Sequence, residues 1–281
     1  MEVLVKEILA PGIVRLVVMA PAIAAKAQPG HFVVVRLHER AERIPLTIAD
    51  FDRTQGTITL IIQKVGKSTA LINQLQSGDS ISDILGPLGT PYPIEKAGTI
   101  VGVAGGLGAA PLYPKVKALY EAGNKVIVVL GAQKKEMLIL NSELQAVSHQ
   151  FLVATDDGSF GHHGLVTDLL TQVVESEPVD EVIAIGPVPM MDACCRITGA
   201  RNVKTVVSLN AVMVDGTGMC GGCRVTVGGQ SKFCCVDGPS FDGLQVDFAE
   251  LRQRQRYYTD LEKSAYQNFC KENEECRCHA K

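Results

Sequence analysis

The sequence predicts a protein of mixed β and α/β class: an N-terminal antiparallel barrel, a parallel α/β domain, and a C-terminal loop segment with a helical tail. This prediction rests on three observations. Up to about residue 95, short strand patterns alternate with turn signals. From about residue 97, apolar strands alternate with helical stretches. Between residues 210 and 240, glycine and cysteine interrupt both patterns.

The barrel prediction comes from short, evenly spaced strands with no long helical pattern between them. Turn signals such as Pro29-Gly30 separate them. The clearest strands are Val14–Met19, His31–Leu37 and Thr57–Gln63. We expect the barrel to close near Ile84–Gly89.

The α/β prediction comes from continuous apolar strands, which are typical of a parallel sheet covered on both faces. The strands are Thr99–Ala104, Lys125–Leu130, Phe151–Ala154 and Val182–Ile185. A helical stretch, Pro111–Glu121, follows the first of them, and helical segments separate the others. Buried strands alternating with helices favour a doubly wound, Rossmann-like arrangement.

Length and composition set the domain plan. The 281 residues exceed one typical core, so we divide the chain into residues 1–95, 96–209, 210–245 and a tail, 246–281. Hydrophobic residues make up 46% and charged residues 20%, which supports buried cores over disorder. The net charge is −3 without a long basic run, so we expect no nucleic-acid binding.

The N-terminal segment alternates like a strand and lacks the uninterrupted apolar core of a signal peptide. The longest apolar stretches are strand-sized and broken by Gly or Pro, so no membrane insertion is expected. The nine cysteines cluster in short spacings, which in an unsecreted chain favours metal binding over a disulfide framework. We therefore expect a cytoplasmic protein.

The sharpest motif is the glycine-rich loop that contains Asp215, Cys220 and Cys223, with Cys235 further on. Its spacing resembles the plant-type ferredoxin pattern Cys-x4-Cys-x2-Cys…Cys, with Asp215 in the first position. Thiolates suit iron–sulfur sites, and a carboxylate can ligate iron as a harder ligand. We predict that these four residues hold a [2Fe–2S] cluster.

A zinc site remains the alternative at this loop. Cys220, Cys223, Cys234 and Cys235 would supply four thiolates. Adjacent cysteines rarely both reach one tetrahedral metal, and the glycine-rich spacing fits a zinc ribbon poorly. Iron–sulfur is favoured, and Cys234 is interpreted as a bystander.

Two glycine motifs indicate dinucleotide binding. The strand Thr99–Ala104 leads into a turn whose glycines permit close backbone approach to a pyrophosphate, and the next helix attracts the anion with its N-terminus. The strand Val182–Ile185 ends in a second Gly-Pro turn at an edge where such sheets bind ligands. The predicted nicotinamide-site residues are Gly105, Gly106, Gly108, Pro111, Gly186, Pro187 and Met190.

The loop after Phe151–Ala154 is placed to reach the adenosine end of that cofactor. Asp156 and Asp157 would repel a 2′-phosphate, and Asp157 is included in the predicted site. Lys134 and Lys135 would attract one. NAD(H) is preferred, with the choice left open.

Two segments of the barrel predict a flavin site. Arg43 offers a bidentate fork for a phosphate, and Thr47 a hydroxyl near the flavin ring. The amides of Gly66 to Thr69 would wrap the pyrophosphate, especially if Ser68 opens a helix over Thr69–Leu75. The predicted residues are Arg43, Pro45, Leu46, Thr47, Gln63, Val65, Gly66, Ser68 and Thr69.

With these motifs, residues 1–245 resemble the ferredoxin–NADP reductase superfamily, in the branch with a C-terminal [2Fe–2S] loop. The segment Arg43–Thr47 is similar to its flavin motif Arg-x-Tyr-Ser/Thr, with Leu46 where the ring-stacking Tyr often stands and Arg43 one place early. Gly105–Pro111 and Gly186–Met191 are similar to its nicotinamide motifs.

Two groups within this superfamily are similar to the chain. One is the electron-transfer subunit of dihydroorotate dehydrogenase, which holds its cluster with four cysteines. The other is the small (alpha) subunit of NADH-dependent reduced ferredoxin:NADP oxidoreductase, also known as a sulfide dehydrogenase subunit. We favour the second group, because its members share with this chain an Asp ligand and a longer tail after the cluster. The sequences are also similar over Arg43–Asp50 and Met213–Cys220.

This resemblance implies an oxidoreductase subunit with FAD, a [2Fe–2S] cluster and NAD(H). Hydride would pass between NAD(H) and the flavin, and single electrons between the cluster and a large iron–sulfur flavoprotein partner, in an electron-bifurcating complex. No side-chain acid or base is predicted. A dihydroorotate dehydrogenase subunit and a non-enzymatic, zinc-binding assembly subunit remain alternatives, and the acceptor and the direction of flow stay open.

Three further features of the sequence are not assigned to a cofactor site. His162 and His163 are expected to be solvated. The charged tail is expected to be helical and to face the partner. Cys276, Cys278 and His279 are interpreted as a loose, thiol-bearing terminus.

Overall fold

The computed structural model describes residues 1–272. Its N-terminal part is one antiparallel sheet of six strands in the order β1-β2-β5-β4-β3-β6. The elements are β1 (Val3–Ala10), β2 (Ile13–Met19), α1 (Pro21–Ala24), β3 (Phe32–Arg36), β4 (Arg43–Asp52), β5 (Thr57–Gln63), α2 (Lys67–Gln74) and β6 (Asp83–Leu88). The N-terminus pairs with the segment before β6, because Ile81 donates to the Met1 carbonyl at 2.8 Å. This pairing closes the sheet toward a barrel.

The predicted barrel strands are confirmed with small shifts at their ends. β5 has the predicted bounds, and β2 begins one residue earlier than predicted, at Ile13. α2 begins at Lys67 with Gly66 as its N-cap, so Ser68 does not open this helix as we considered. The reason is local: the Thr69 hydroxyl accepts from the Gly66 amide at 3.0 Å and fixes the first turn one residue earlier.

The second part is a seven-stranded sheet in the order β10-β9-β8-β7-β11-β12-β15. Every pairing in it is parallel except that of β15, which runs antiparallel to β12. The elements of the sheet and its helices are β7 (Thr99–Gly105), α3 (Ala109–Glu121), β8 (Lys125–Ala132), α4 (Asn141–Ala146), β9 (Gln150–Thr155), β10 (His162–His163), α5 (Val166–Ser176), β11 (Glu181–Ile185), α6 (Val188–Gly199), β12 (Lys204–Ser208) and β15 (Ser240–Asp242). Two further strands, β13 (Arg224–Val227) and β14 (Gln230–Phe233), form a separate two-stranded sheet.

Apolar strands of this sheet are covered on both faces, as their continuous apolar runs predicted. On β8, Ile127 and Val129 pack in one core with residues of α5 and α6. Val126 and Val128 pack in the other core with residues of α3 and α4. Because successive side chains of a strand point to opposite faces, both sets are buried. The strand order reverses between β7 and β11, which places a topological switch point at their carboxyl ends.

The cysteine-rich segment is integrated with this sheet. β15 pairs with β12, and β13 with β14 as a hairpin. Cys223, Cys234 and Cys235 belong to the core that also holds α5 and α6. The segment is therefore fixed to the edge of the α/β domain.

The described part of the tail, up to Glu272, is helical, as predicted, and packs back on the molecule. It consists of α7 (Phe248–Gln255) and α8 (Thr259–Glu272). The Asp247 carboxylate caps α7 by accepting from the Glu250 amide at 2.9 Å. Phe269 of α8 packs against Ala70 of α2, so the tail contacts the barrel.

The predicted thiol-bearing terminus, Cys276, Cys278 and His279, lies outside the described residues. Within residues 1–272, no helix combines the length and the apolar character that crossing a membrane requires.

Candidate cofactor cleft and cluster segment

The first glycine turn joins β7 to α3 at the switch point. Gly106 has φ 54°, a left-handed conformation that favours glycine. Gly108 has no room for a side chain, because a Cβ there would lie 2.1 Å from the carbonyl oxygen of Ile185. The turn therefore lies directly against the end of β11.

The second glycine turn follows β11 and meets the first. A Cβ on Gly105 would lie 2.5 Å from the sulfur of Met190, and one on Gly186 would lie 2.8 Å from the methyl carbon of the same side chain. Met190 thus packs over both turns. The two predicted nicotinamide motifs, far apart in sequence, form one surface.

A cleft of about 740 Å³ runs from this surface to the barrel and to the cysteine-rich segment. Of the residues predicted to bind cofactors, it is lined by Pro45, Leu46, Thr47, Gln63, Gly105, Gly106, Gly108, Pro111, Gly186, Pro187 and Met190. Barrel strand β5 contributes Ile61, and the cysteine-rich segment contributes Ala211 and Met213. The barrel, the α/β domain and the cysteine-rich segment thus all contribute to this cleft, but the predicted cluster ligands Asp215, Cys220, Cys223 and Cys235 are not in its lining.

The other predicted flavin residues lie outside the cleft lining. Arg43 is exposed at the start of β4. The Ser68 hydroxyl donates to the Glu42 carboxylate at 2.5 Å, which joins α2 to the residue before Arg43. The Thr69 hydroxyl accepts from the amides of Val65 and Gly66, at 2.9 and 3.0 Å.

The loop after β9 separates the two predicted acidic residues. Asp156 lines the cleft. The Asp157 carboxylate accepts from the Ser159 amide at 2.9 Å and from its hydroxyl at 2.6 Å. These hydrogen bonds lower the pKa of Asp157, so this carboxylate stabilises its own turn.

The two lysines near this loop, Lys134 and Lys135, lie outside the cleft lining. The ammonium of Lys135 lies 5.5 Å from the centre of the Phe160 ring, a cation–π contact. Its amide donates to the Ser159 hydroxyl at 2.8 Å. Neither Lys134 nor Lys135 is part of the cleft lining, whereas Gln133 is.

The cluster loop is held in a tight conformation. Gly216, Gly218 and Gly221 all have φ between 67° and 86°. The Asp215 carboxylate accepts from the Thr217 amide at 2.9 Å and from the Cys220 amide at 2.8 Å. The bond from Thr217 is the main cause that lowers the pKa of Asp215, so a carboxylate faces the loop.

Two of the predicted thiol ligands converge. The sulfurs of Cys223 and Cys235 lie 3.2 Å apart, and both residues are buried. Cys220 is exposed, and its sulfur accepts from the Gly222 amide at 3.4 Å. Soft thiolates with amide donors around them suit an iron–sulfur cluster.

The neighbouring Cys234 is buried like Cys235, but the 3.2 Å contact with the sulfur of Cys223 is made by Cys235. Cys234 is fully buried, and burial raises its thiol pKa. Within residues 1–272, no three Cys, His, Asp or Glu side chains form a compact set for one metal ion. The donors of a binuclear cluster are shared between two irons, so they need not converge on one point.

The sequence reasoning missed several residues of the cleft, among them the charged residue Lys115. Lys115 of α3 lines the cleft and is only 1% exposed. A signal was present, because the apolar stripe of α3 runs through Leu112, Val116 and Leu119, and Lys115 lies on that side.

Comparison with protein-family models matches two parts of the chain. Residues 103–196 match the oxidoreductase NAD-binding domain. Residues 210–247 match the iron–sulfur cluster-binding domain of dihydroorotate dehydrogenase B. The α/β sheet and the cysteine-rich segment therefore belong to known oxidoreductase domain families.

Curated relatives match most of the chain. It is 48% identical to the electron transfer subunit homolog of dihydroorotate dehydrogenase B (NAD(+)) from Thermotoga maritima, over 90% of this chain and 89% of that protein. It is 36% identical to the electron transfer subunit of dihydroorotate dehydrogenase B (NAD(+)) from Geobacillus thermodenitrificans, over 88% of this chain and 97% of that protein.

Solved structures show the same architecture. A chain of the NADH-dependent reduced ferredoxin-NADP oxidoreductase, described for flavin-based electron bifurcation, matches with a TM-score of 0.91 and 45% identity over 95% of this chain and 97% of that chain. A ferredoxin NADP+ reductase from Neisseria gonorrhoeae with bound FAD and NADP shares the fold alone, with a TM-score of 0.58 and 17% identity over 71% of this chain and 89% of that chain.

The fold prediction is confirmed by these matches, and so is the predicted set of FAD, a [2Fe–2S] cluster and NAD(H) at the level of the family. The chain belongs to the family of oxidoreductase electron-transfer subunits that includes those of dihydroorotate dehydrogenase B, within the ferredoxin–NADP reductase superfamily.

Proposed function

We propose that this chain carries electrons between NAD(H), a bound FAD and a [2Fe–2S] cluster, and exchanges them with a large iron–sulfur flavoprotein subunit. The observation that carries this proposal is the shared cleft. Barrel residues Thr47 and Gln63, the turns at Gly105 and Gly186, and Met213 of the cysteine-rich segment all border it. Residues from all three predicted cofactor regions border one cavity, which supports electron transfer between them.

The residues of the cleft fit dinucleotides. A Cβ on Gly106 would meet nothing within 4 Å, so the first glycine turn leaves open space beside its backbone, where a pyrophosphate can approach the N-terminus of α3. Apolar walls with a few polar groups suit a flat aromatic ring. When bound, the flavin accepts two electrons together and releases them singly. The task of this chain is to orient both dinucleotides and to exclude water between them.

NAD(H) is the favoured nucleotide in this proposal. Asp156 lines the cleft, so its charge would repel a 2′-phosphate. Lys135, which would attract one, contacts the Phe160 ring outside the lining.

The cysteine-rich segment would hold the cluster through Cys220, Cys223 and Cys235, with Asp215 as the fourth ligand. The convergence of Cys223 and Cys235 and the amide next to Cys220 support this assignment. Asp215 occupies the position where the dihydroorotate dehydrogenase subunits were expected to have a cysteine. This difference, together with the match to the ferredoxin-NADP oxidoreductase chain, supports a bifurcating complex.

The test is anaerobic isolation of the native complex, followed by identification of its partner and assay of its nucleotide specificity. A large iron–sulfur flavoprotein partner and flavin absorbance, with iron and acid-labile sulfide in equal amounts, are expected. A dihydroorotate-oxidising partner would support the second candidate instead. Colourless protein that contains zinc would overturn the redox function.

The Asp215 ligand is tested separately. The Asp215→Cys variant should shift the cluster potential and its paramagnetic spectrum while retaining flavin, because a thiolate is a softer ligand than a carboxylate. If both the potential and the spectrum stay unaltered, Asp215 does not ligate iron.

A further inference from the structure

Lys115 is a buried cation in the wall of the cleft. The residue is 1% exposed, and its ammonium group has hydrogen bonds to the hydroxyls of Ser208 and Ser240, the latter at 2.8 Å. Ser208 ends β12 and faces Ser240 at the start of β15 across the antiparallel pairing. Lys115 is thus fixed at the point where the cysteine-rich segment joins the sheet.

The barrel side of the cleft is also close to Lys115. Its ammonium lies 5.1 Å from the centre of the Tyr92 ring. The Tyr92 amide donates to the carbonyl of Pro29 at 2.7 Å, and the adjacent Gly30 lines the cleft together with Thr47. The ammonium therefore lies between the barrel side of the cleft, where Gly30 and Thr47 are found, and the cysteine-rich segment that contains Ser240.

The charge of Lys115 has no paired carboxylate. Among residues 1–272, none lies within 4 Å of this ammonium. The nearby Glu181 is occupied, since it accepts from the Tyr92 hydroxyl at 2.6 Å and from the Lys204 ammonium at 3.2 Å. Two neutral hydroxyls are weak compensation for a buried cation, and burial lowers the pKa of Lys115 to about 7. Such an arrangement is costly unless a negative charge enters the cleft.

We propose that Lys115 is a charge-stabilising residue of the flavin site, whose ammonium, held by Ser208 and Ser240, favours the negatively charged, reduced state of the bound flavin ring. This inference rests on the proposed function. Hydride from NADH brings two electrons and one proton to the neutral oxidised ring, so the reduced ring carries one negative charge and NAD⁺ leaves. Inside a cleft with low dielectric, a nearby cation favours that charged state more than it would in water.

The test is the two-electron midpoint potential of the flavin in the isolated, cofactor-loaded protein. Lys115→Met and Lys115→Gln remove the charge, and the Gln variant keeps a group that can hydrogen-bond to the serines. At a fixed applied potential, we expect the ratio of reduced to oxidised flavin to fall at least tenfold in both variants. This corresponds to a midpoint potential that is about 30 mV lower for a two-electron couple. Lys115→Arg should restore most of the wild-type potential.

The matched control is Lys117→Met, two residues along the same helix. Lys117 pairs with Asp50 at 3.3 Å and is not part of the cleft lining, so its variant should keep the wild-type potential. An unchanged potential in either neutral variant, with flavin still bound, would overturn the inference. Loss of flavin or stability without a change in the potential of the remaining flavin would show a purely structural role. Wild-type protein that binds no flavin would instead refute the proposed function.

Discussion

At the scale of single residues, Asp156 and Asp157 show how neighbours in sequence acquire different surroundings. The two carboxylates are equivalent in the sequence pattern, and both are exposed. The Asp157 carboxylate accepts a hydrogen bond from the Ser159 hydroxyl, whereas Asp156 borders the cleft. Nucleotide selection is therefore assigned to Asp156 as a proposal.

Asp156→Asn should raise kcat/KM for NADPH relative to NADH, on the order of tenfold or about 1.4 kcal/mol, because the repulsion of a 2′-phosphate is removed. Steady-state kinetics with both nucleotides and an artificial acceptor measures the ratio. Asp157→Asn is the matched control and should change the ratio less. A larger change in the control would return the assignment to Asp157.

Cys234 and Cys235 form a second adjacent pair with different predicted roles. Burial raises the pKa of Cys235 to about 12 when no metal is bound, and the sulfur of Cys223 adds to this effect. A thiolate there needs a metal for compensation. Its neighbour Cys234 lies in the same core, whereas the 3.2 Å contact with the sulfur of Cys223 is made by Cys235.

Cys235→Ala should abolish the cluster, whereas Cys234→Ala should keep it at a stability cost of roughly 1 kcal/mol. Iron and acid-labile sulfide per chain, measured with flavin content in both variants, give the comparison. Equal loss of iron from both variants would favour the site with four thiolates, including Cys234.

At the scale of elements, the β7–α3 turn uses glycine for two distinct reasons. Gly106 adopts a positive φ, and a Cβ there meets nothing within 4 Å. Gly108 has ordinary helical torsions, φ −57° and ψ −17°, but no space. The sequence shows a glycine at both positions and does not distinguish a requirement for positive φ from a lack of space for a side chain.

Gly106→Ala should therefore lower the free energy of unfolding by about 1–2 kcal/mol, the cost of a left-handed residue with a side chain. Gly108→Ala should cost more and also weaken nucleotide binding, since β11 and the turn must separate. Urea unfolding and NADH titration of both variants check the order. A smaller cost for Gly108→Ala would contradict the close packing of the turn on β11.

Elements differ in how well local pattern predicts them. The apolar runs of β7, β8 and β11 were predicted within two residues at either end, because buried strands of a parallel sheet carry continuous apolar side chains. β12 and β15 were not among the predicted strands. The three residues of β15 have no pattern of their own, and only pairing with β12 makes them a strand.

At the scale of the whole molecule, the burial of Lys115 links stability to pH. Its pKa falls from 10.5 in the unfolded chain to about 7 in the folded one. Between these values the unfolded chain binds more protons, so this group makes the free energy of unfolding rise with pH. Below about pH 7 both states are protonated, and the full cost of burying the charge remains.

Lys115→Met should therefore raise the free energy of unfolding at pH 6 by about 1–4 kcal/mol, and its advantage should shrink as the pH approaches 10.5. Urea unfolding of wild type and variant at several pH values measures the difference. A difference that stays constant with pH would show that the lysine keeps its ordinary pKa.

The sequence by itself determined most strands of the two sheets, with β4, β6, β10, β12 and β15 as exceptions, together with the two glycine turns and the spacing of the cysteines. These features depend on local periodicity, on the conformational freedom of glycine and on the ligand chemistry of thiols, all of which short segments carry. The resemblance of these motifs to those of a known superfamily implied that the protein binds FAD, a [2Fe–2S] cluster and NAD(H).

Only the tertiary structure decided which of these residues share the cleft. The placement of Asp156 in the lining, the hydroxyls around Lys115 and the pairing of β15 depend on contacts between segments up to 125 residues apart. Side-chain direction and burial at such contacts follow from packing of the whole chain, which no local pattern contains.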